Sequence, residues 1–384
     1  MPQLIFRHFV LVCLLISFTN CGDDFLEVPE TVTPNPENPT TSVTDAFEAY
    51  LLEEMEQQNI PALSALVFQD DQIKYQANLG LSDVGDNIPL AADHLFLLAS
   101  ISKTITATAL LQLHDQGLFE LDDSINDFLP FEVKIPNYTT PITFQMLLTH
   151  TSGINDGNAL DDQFYDGEDS PVTLRYFLEN YFASDGVFYD EEANFYDFEP
   201  GTQHEYTNTG NTLMGLLVEV IAQQDFNEYC KEHILAPLNM TNSYWRLVEI
   251  NQPMVGLYDK NELIEPYTFT DYPNGGLRST AEDLFKFNQM LMSQGRFNNN
   301  QILQAATVGT LLEPQIPTID PQVGLHFFLM NEDNNLWGHD GGVQGSTTIM
   351  AFNPETKAGA IILTNQTDVD LDEILVRAYA VGID

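Results

Sequence analysis

Positive charge is what this chain lacks most. Seven lysines and six arginines stand against fifty-seven acidic side chains, a formal net charge of −44 over 384 residues. Phosphate backbones are held by a basic footprint, and thirteen scattered cations cannot form one, so nucleic acid is excluded as a partner. Cysteine is scarce as well: Cys13 and Cys21 fall in the first 21 residues and Cys230 stands alone, which excludes an intramolecular disulfide in the rest of the chain. No segment has the spaced acidic ligands and central glycine of an EF-hand loop, so no metal and no other cofactor is assigned. The sequence shows no internal repeat. One long run, residues 95–113, is uncharged but for Lys103. That lysine alone costs about 3 kcal/mol at the centre of a bilayer, and the Ser, Thr and Gln around it add to the penalty, so the run is no membrane span. With 43% hydrophobic and 11% aromatic residues, the chain can still build a sizeable core.

The amino terminus reads as an export signal. Arg7 and His8 precede an apolar stretch from Phe9 to Phe18, too short to cross a bilayer and of signal-peptide length. Thr19-Asn20-Cys21-Gly22-Asp23-Asp24 then resembles a bacterial lipoprotein signal, with Cys21 as the lipidated first mature residue, although Phe18 and Asn20 depart from the usual residues. A plain secretory peptide cut nearby is the alternative. Residues 21–41 are acidic and hold Pro29, Pro34, Pro36 and Pro39, a composition that stays extended as a tether. The expected organisation is a signal peptide over 1–20, a tether over 21–41 and one catalytic domain over 42–384, exported to the cell envelope and anchored through Cys21.

Apolar residues recur at helical spacing from Val43 to Asn59. Strand-like runs follow at Leu63–Gln69 and Ile73–Leu79, joined by Asp70-Asp71 as a hairpin. Strands return at Gly324–Met330, Thr347–Phe352 and Gly359–Thr364, and Leu371–Ala380 suggests a closing helix. This order predicts an α+β fold, an α/β sandwich: one antiparallel sheet formed by both chain ends and flanked by helices, with a mostly helical lobe inserted over about 121–317. Within that lobe, residues 155–199 carry thirteen Asp or Glu, one cation, Arg175, and five aromatic pairs. They read either as a rim over a pocket or, as we prefer, as an insertion packed on its own body.

Lys103 carries the chemical information. A lysine inside an apolar run is costly unless it has a task. Ser100-x-x-Lys103 is the only such tetrad in the chain and places a hydroxyl and an amine one helical turn apart. With Ser100 opening the helix, its Oγ and N–H stand at the positive end of the macrodipole. Burial favours the neutral amine, which can then accept the serine proton. Tyr206-x-Asn208 precedes an apolar helix from Leu213 to Ile221 and can aim a phenol and a carboxamide into a cleft. Trp337-Gly338-His339-Asp340-Gly341-Gly342 reads as a glycine-rich turn, ahead of a strand, that lets backbone approach a ligand closely.

In this order, Ser100-x-x-Lys103, Tyr206-x-Asn208 and His339-x-Gly341 resemble the three motifs of the serine beta-lactamase-like hydrolases. That family includes class C beta-lactamases, D-alanyl-D-alanine carboxypeptidases, D-amino-acid peptidases and family VIII esterases. The stretches 147–153, 237–240 and 275–284 resemble it too, so the likeness runs from about Phe47 to Val381. The resemblance implies Ser100 as nucleophile, Lys103 and Tyr206 as proton carriers, and Asn208 positioning Lys103 and substrate. It places His339 and Gly341 at the substrate, with the oxyanion held by the N–H groups of Ser100 and Gly342; His150 and the Gly275-Gly276 turn look structural by the same comparison. Histidine stands where class C beta-lactamases usually carry a lysine for the antibiotic's carboxylate, which favours a peptidase or esterase over a beta-lactamase. The implied substrate is a small molecule or peptide, peptidoglycan-derived peptides included. Three alternatives stand beside this reading: a Ser-His-Asp triad using His150, His204 or His339, for which no Gly-x-Ser-x-Gly elbow exists; a non-catalytic envelope-binding protein on the same fold; and calcium-dependent adhesion through the acidic insert. For the anchor, Cys21→Ser should release the protein from the membrane fraction, and a variant that stays bound would contradict lipidation.

Overall fold

The computed structural model describes residues 42–384; the leader, Cys21 and the proline-rich tether lie outside the described residues. Ser42 starts the first helix, α1 (Val43–Gln57), with a capping box: its hydroxyl accepts the Asp45 N–H while the Asp45 carboxylate accepts the Ser42 N–H. Seven strands then build one antiparallel sheet: β1 (Ala62–Gln69), β2 (Gln72–Asp83), β3 (Ile88–Pro89), β4 (Phe328–Asn331), β5 (Leu336–Val343), β6 (Ser346–Phe352) and β7 (Ala358–Thr364). Their spatial order is β4-β5-β6-β7-β1-β2-β3, so the two chain ends meet along the β1–β7 seam, from Leu63 opposite Thr364 to Gln69 opposite Ala358. The α+β architecture expected from the sequence is the one observed.

Among the described residues the later helices are α2 (Ser102–Asp115), α3 (Phe144–Leu148), α4 (Leu174–Phe182), α5 (Asn208–Ala222), α6 (Phe226–Cys230), α7 (Ala281–Met292), α8 (Ala305–Leu311) and α9 (Asp372–Ile383). Alternation along the strands sorts the two faces of the sheet. Leu63, Ala65, Val67, Ile349 and Ile362 pack with α1 and α9, whereas Leu66, Phe68, Met350, Ile361 and Leu363 join the larger core that contains α2, α5 and α7. With both faces covered, the central strands β1 and β7 are buried along almost their whole length and mostly apolar rather than alternating.

Three expectations are corrected. Ser100 does not open the long helix; it lies in a 3-10 turn, Ala99–Ile101, just before α2. The expected strand over Gly324–Met330 narrows to Phe328–Asn331. The third motif is not a turn but the strand β5 itself, paired residue by residue with β6. Its glycines hid it, since glycine is a poor strand former; at Gly338 a Cβ would collide with the Met350 carbonyl across the ladder, so close strand approach requires glycine there. The inserted lobe also holds short ribbons, including Phe164–Asp166 against Tyr267–Phe269 and Leu257–Asp259 against Glu262–Ile264. Five aromatics of the acidic insert are core: Phe177 and Tyr181 are fully buried, and Phe182, Phe195 and Phe198 are nearly so, while Phe164 and Tyr176 stay half exposed.

Candidate active site

The turn that carries Ser100 is strained and held from outside. Ala99 sits at φ +48°, a left-handed conformation that a Cβ disfavours. Leu98 N–H donates to the Leu277 carbonyl at 2.9 Å, Thr348 Oγ1 donates to the Leu98 carbonyl at 2.8 Å, and Leu277 N–H donates to Ser102 Oγ at 3.1 Å. Strand β6 and the 275–284 stretch therefore fix the turn together. Ser100 remains partly exposed, so a substrate can reach its hydroxyl.

Lys103 is fully buried. Its Nζ donates to Ser100 Oγ at 3.0 Å and to the Asn274 carbonyl at 2.7 Å. Burial pushes its pKa down from 10.5 to about 7, against the pull of Asp156, Asp271 and Asp340, which favour the ammonium. A neutral amine keeps an N–H for the Asn274 carbonyl and turns its lone pair to the Ser100 hydroxyl. Asn274 is itself clamped, its Nδ2 donating to Asp271 O and Oδ2, both at 2.6 Å. Burial also pushes the Asp271 carboxyl up to about 6.

The Tyr206 loop reaches this pair from 103 residues further along the chain. Glu205 N–H donates to the His150 carbonyl at 2.9 Å and Thr207 N–H to His150 Nδ1 at 3.2 Å, so His150 serves as the loop's template. The Tyr206 ring stacks on His150 at 4.5 Å, and Lys103 Nζ lies 5.0 Å from the centre of the Tyr206 ring. Asn208, expected to position the lysine and the substrate, donates its Nδ2 to Asp156 at 2.8 Å.

His339 and Gly341 share one face of β5, and Asp340 takes the other. At Gly341 any Cβ would collide with the Leu98 carbonyl and the Thr348 hydroxyl and stand 3.0 Å from the Ser100 nitrogen, so glycine alone lets the strand dock on the Ser100 turn. A Cβ at Gly342, by contrast, would meet open space. His339 is 2% exposed, with its ring 6.2 Å from Tyr206 and 5.2 Å from Phe328. Burial pushes its pKa down to about 3, helped by the nearby Lys103, so it is neutral, as the sequence suggested. His326 stacks on His150 at 4.3 Å and is pushed down to about 3 by burial, while His204 pairs with Asp320 at 3.1 Å. These rings form a neutral layer behind Tyr206, and Ser100 Oγ takes its hydrogen bond from Lys103 rather than from a histidine, which leaves the triad alternative without geometry. Among the described residues no group of three or more His, Cys, Asp or Glu is arranged to hold a metal ion.

Sequence reasoning missed Asp156, Asp271, Asn274, His326 and Phe328. Asn274 works through its carbonyl, which every residue type possesses, and Asp156 was one acid among thirteen in the insert.

An antiparallel sheet with helices on both faces, and a serine paired to a buried lysine against its strands β5 and β6, defines the class shared by penicillin-binding proteins and serine beta-lactamases. The chain belongs to the Beta-lactamase family, whose sequence model matches residues 47–381. It is 26% identical to penicillin-binding protein 4 of Amycolatopsis lactamdurans, over 80% of this chain and 81% of that protein. To protein flp of Staphylococcus aureus (strain MW2) it is 22% identical over 85% of this chain, and it spans 64% of that relative's length. The structure is similar to the octameric penicillin-binding protein homologue from Pyrococcus abyssi (TM-score 0.72, 25% identity, 87% of this chain and 76% of that one). It also resembles the penicillin-binding protein from Bacillus halodurans (TM-score 0.67, 25% identity, 86% and 97%). A class C beta-lactamase shares the fold (TM-score 0.67, 19% identity, 90% and 97%).

The Gly341 contact generates a prediction. If Ser100 N–H serves as a donor to a reacting carbonyl, Gly341→Ala should lower kcat/KM on a nitrophenyl ester by about a hundredfold or more, because the added methyl, 3.0 Å from that nitrogen, displaces it. A variant with wild-type kcat/KM would show that the turn has slack.

Proposed function

We propose that this protein is an exported serine hydrolase that forms an acyl-enzyme at Ser100 and cleaves an ester, amide or D-amino-acid peptide bond. One observation carries the reading: the buried Lys103 amine lies 3.0 Å from Ser100 Oγ, with its pKa lowered to about 7. Neutral Lys103 takes the hydroxyl proton as Oγ bonds to the substrate carbonyl carbon. The tetrahedral oxyanion is received by the N–H groups of Ser100 and Gly342, where one such donor is typically worth about 3 kcal/mol. The proton then passes, through Lys103 and Tyr206, to the leaving oxygen or nitrogen as its bond to carbon breaks. Water attacks the acyl-serine, gives its proton back along the same route, and the acid departs with the Ser100 hydroxyl restored.

The neutral, buried His339 supports the preference for a peptidase or esterase, since it offers no cation to a beta-lactam carboxylate. Small molecules and peptides, peptidoglycan-derived ones included, are the substrates this reading names, and nucleic acid is not a partner. Cell-envelope location rests on the leader and on a lipid at Cys21; among the described residues no helix is long and apolar enough to cross a membrane.

The test is parallel turnover of a short-chain nitrophenyl ester, a D-Ala-D-Ala peptide and a chromogenic cephalosporin by wild type and Ser100→Ala. The ester or the peptide should be the better substrate, with the rate falling by about a thousandfold or more in the variant. Because the ammonium cannot accept a proton, kcat/KM should rise with pH through about 7 and then level off. Full activity in Ser100→Ala would refute the assignment, and a cephalosporin as the best substrate would move it to a beta-lactamase.

A further inference from the structure

The acidic insert, residues 155–199, has no role in the chemistry so far, yet its Asp156 reaches into the second motif. Asp156 Oδ1 accepts hydrogen bonds from Thr207 Oγ1 (2.9 Å), Thr209 N–H (2.8 Å) and Thr209 Oγ1 (2.9 Å). Its Oδ2 accepts from Asn208 N–H (2.9 Å) and Asn208 Nδ2 (2.8 Å). Five donors from three consecutive residues thus converge on one carboxylate, directly after Tyr206 and at the start of α5. Thr207 Oγ1, fixed in this way, accepts from Gly210 N–H at 3.3 Å and caps the helix.

Asp156 is braced from behind. The fully buried Tyr181 of α4 bridges the residues on either side of it, donating to the Asn155 carbonyl at 2.8 Å and accepting from Gly157 N–H at 2.6 Å. Gly157 leaves no room for a side chain, because a Cβ there would collide with the Asn194 carboxamide and the Tyr181 hydroxyl. Buried Asn194 in turn donates to the Tyr181 and Phe188 carbonyls, at 3.1 and 2.9 Å, and so ties the aromatic core of the insert to the same brace.

We infer that the acidic aromatic insert is the positioning element of the Tyr206-x-Asn208 motif, acting through Asp156 with Tyr181 as its brace. This inference rests on the acyl-enzyme reading and assigns Asp156 two effects on it. The first is orientation. With Nδ2 held by Asp156, the Asn208 carboxamide presents its oxygen elsewhere, so the motif offers an acceptor suited to an ammonium or a substrate amide N–H. The second is charge. The groups that face Lys103 are the carboxylates of Asp156, Asp271 and Asp340, the neutral rings of His150, His326 and His339, and the Tyr206 ring. Of these Asp156 does most to favour the ammonium, so removing its charge makes the neutral base available at lower pH.

Wild type, Asp156→Asn and Tyr181→Phe are compared as full chains by fluorophosphonate labelling of Ser100, by pH profiles on a nitrophenyl ester and by thermal melting. Asp156→Asn should lower kcat about tenfold with KM within about twofold, and its acidic limb should move to lower pH. Tyr181→Phe, which keeps the charge but loses the brace, should lower kcat about threefold with the limb unmoved. A folded Asp156→Asn whose limb stays at the wild-type pH overturns the inference, even if its rate falls uniformly. Should that variant fail to fold, a Tyr181→Phe enzyme with wild-type kcat overturns it. Wild type that takes no label at Ser100 overturns the acyl-enzyme reading itself, a result distinct from either.

Discussion

The molecule is organised around the burial of one amine. Lys103 is desolvated inside α2, and the fold holds three kinds of group against it: an acceptor carbonyl at Asn274, a hydroxyl at Ser100 and an aromatic ring at Tyr206. That burial is a cost to the folded state. Because the folded pKa of about 7 lies below the unfolded 10.5, the unfolded chain binds more protons between those values. This lysine therefore destabilises the protein at and below neutral pH, and stability contributed by this group rises with pH across that window. Stability given up at one residue for reactivity is the usual mark of a functional site.

Each piece of the site comes from a different part of the chain, and the sheet is what makes them coincide. The β1–β7 seam closes the two chain ends on each other, which brings β5 and β6 beside the turn at 98–100. The inserted lobe supplies the remaining wall through the Asn274 carbonyl, the His150 template and the Tyr206 loop. The layer of neutral histidines behind Tyr206 lines that wall without adding charge, while burial holds the lysine pKa down.

Much of the fold was legible in the sequence because long, periodic segments dominate it. The amino-terminal helix, the hairpin over 62–83, strands β6 and β7 and the closing helix all follow from apolar spacing. Strand β5 was not legible, since its glycines serve docking on Ser100 rather than strand propensity. The Ser100-x-x-Lys103 pair was visible because an isolated lysine in an apolar run is costly and therefore informative. Asp156 and Asn274 were invisible for opposite reasons: one is masked by a dozen similar acids, and the other acts through a backbone atom.

Direct titration of the lysine amines by NMR, with carbon-13 and nitrogen-15 labels on the seven lysine side chains, tests the central claim. One amine should titrate near pH 7, and its signal should vanish in Lys103→Met. Seven amines all titrating near the ordinary lysine value of about 10.4 would contradict the account.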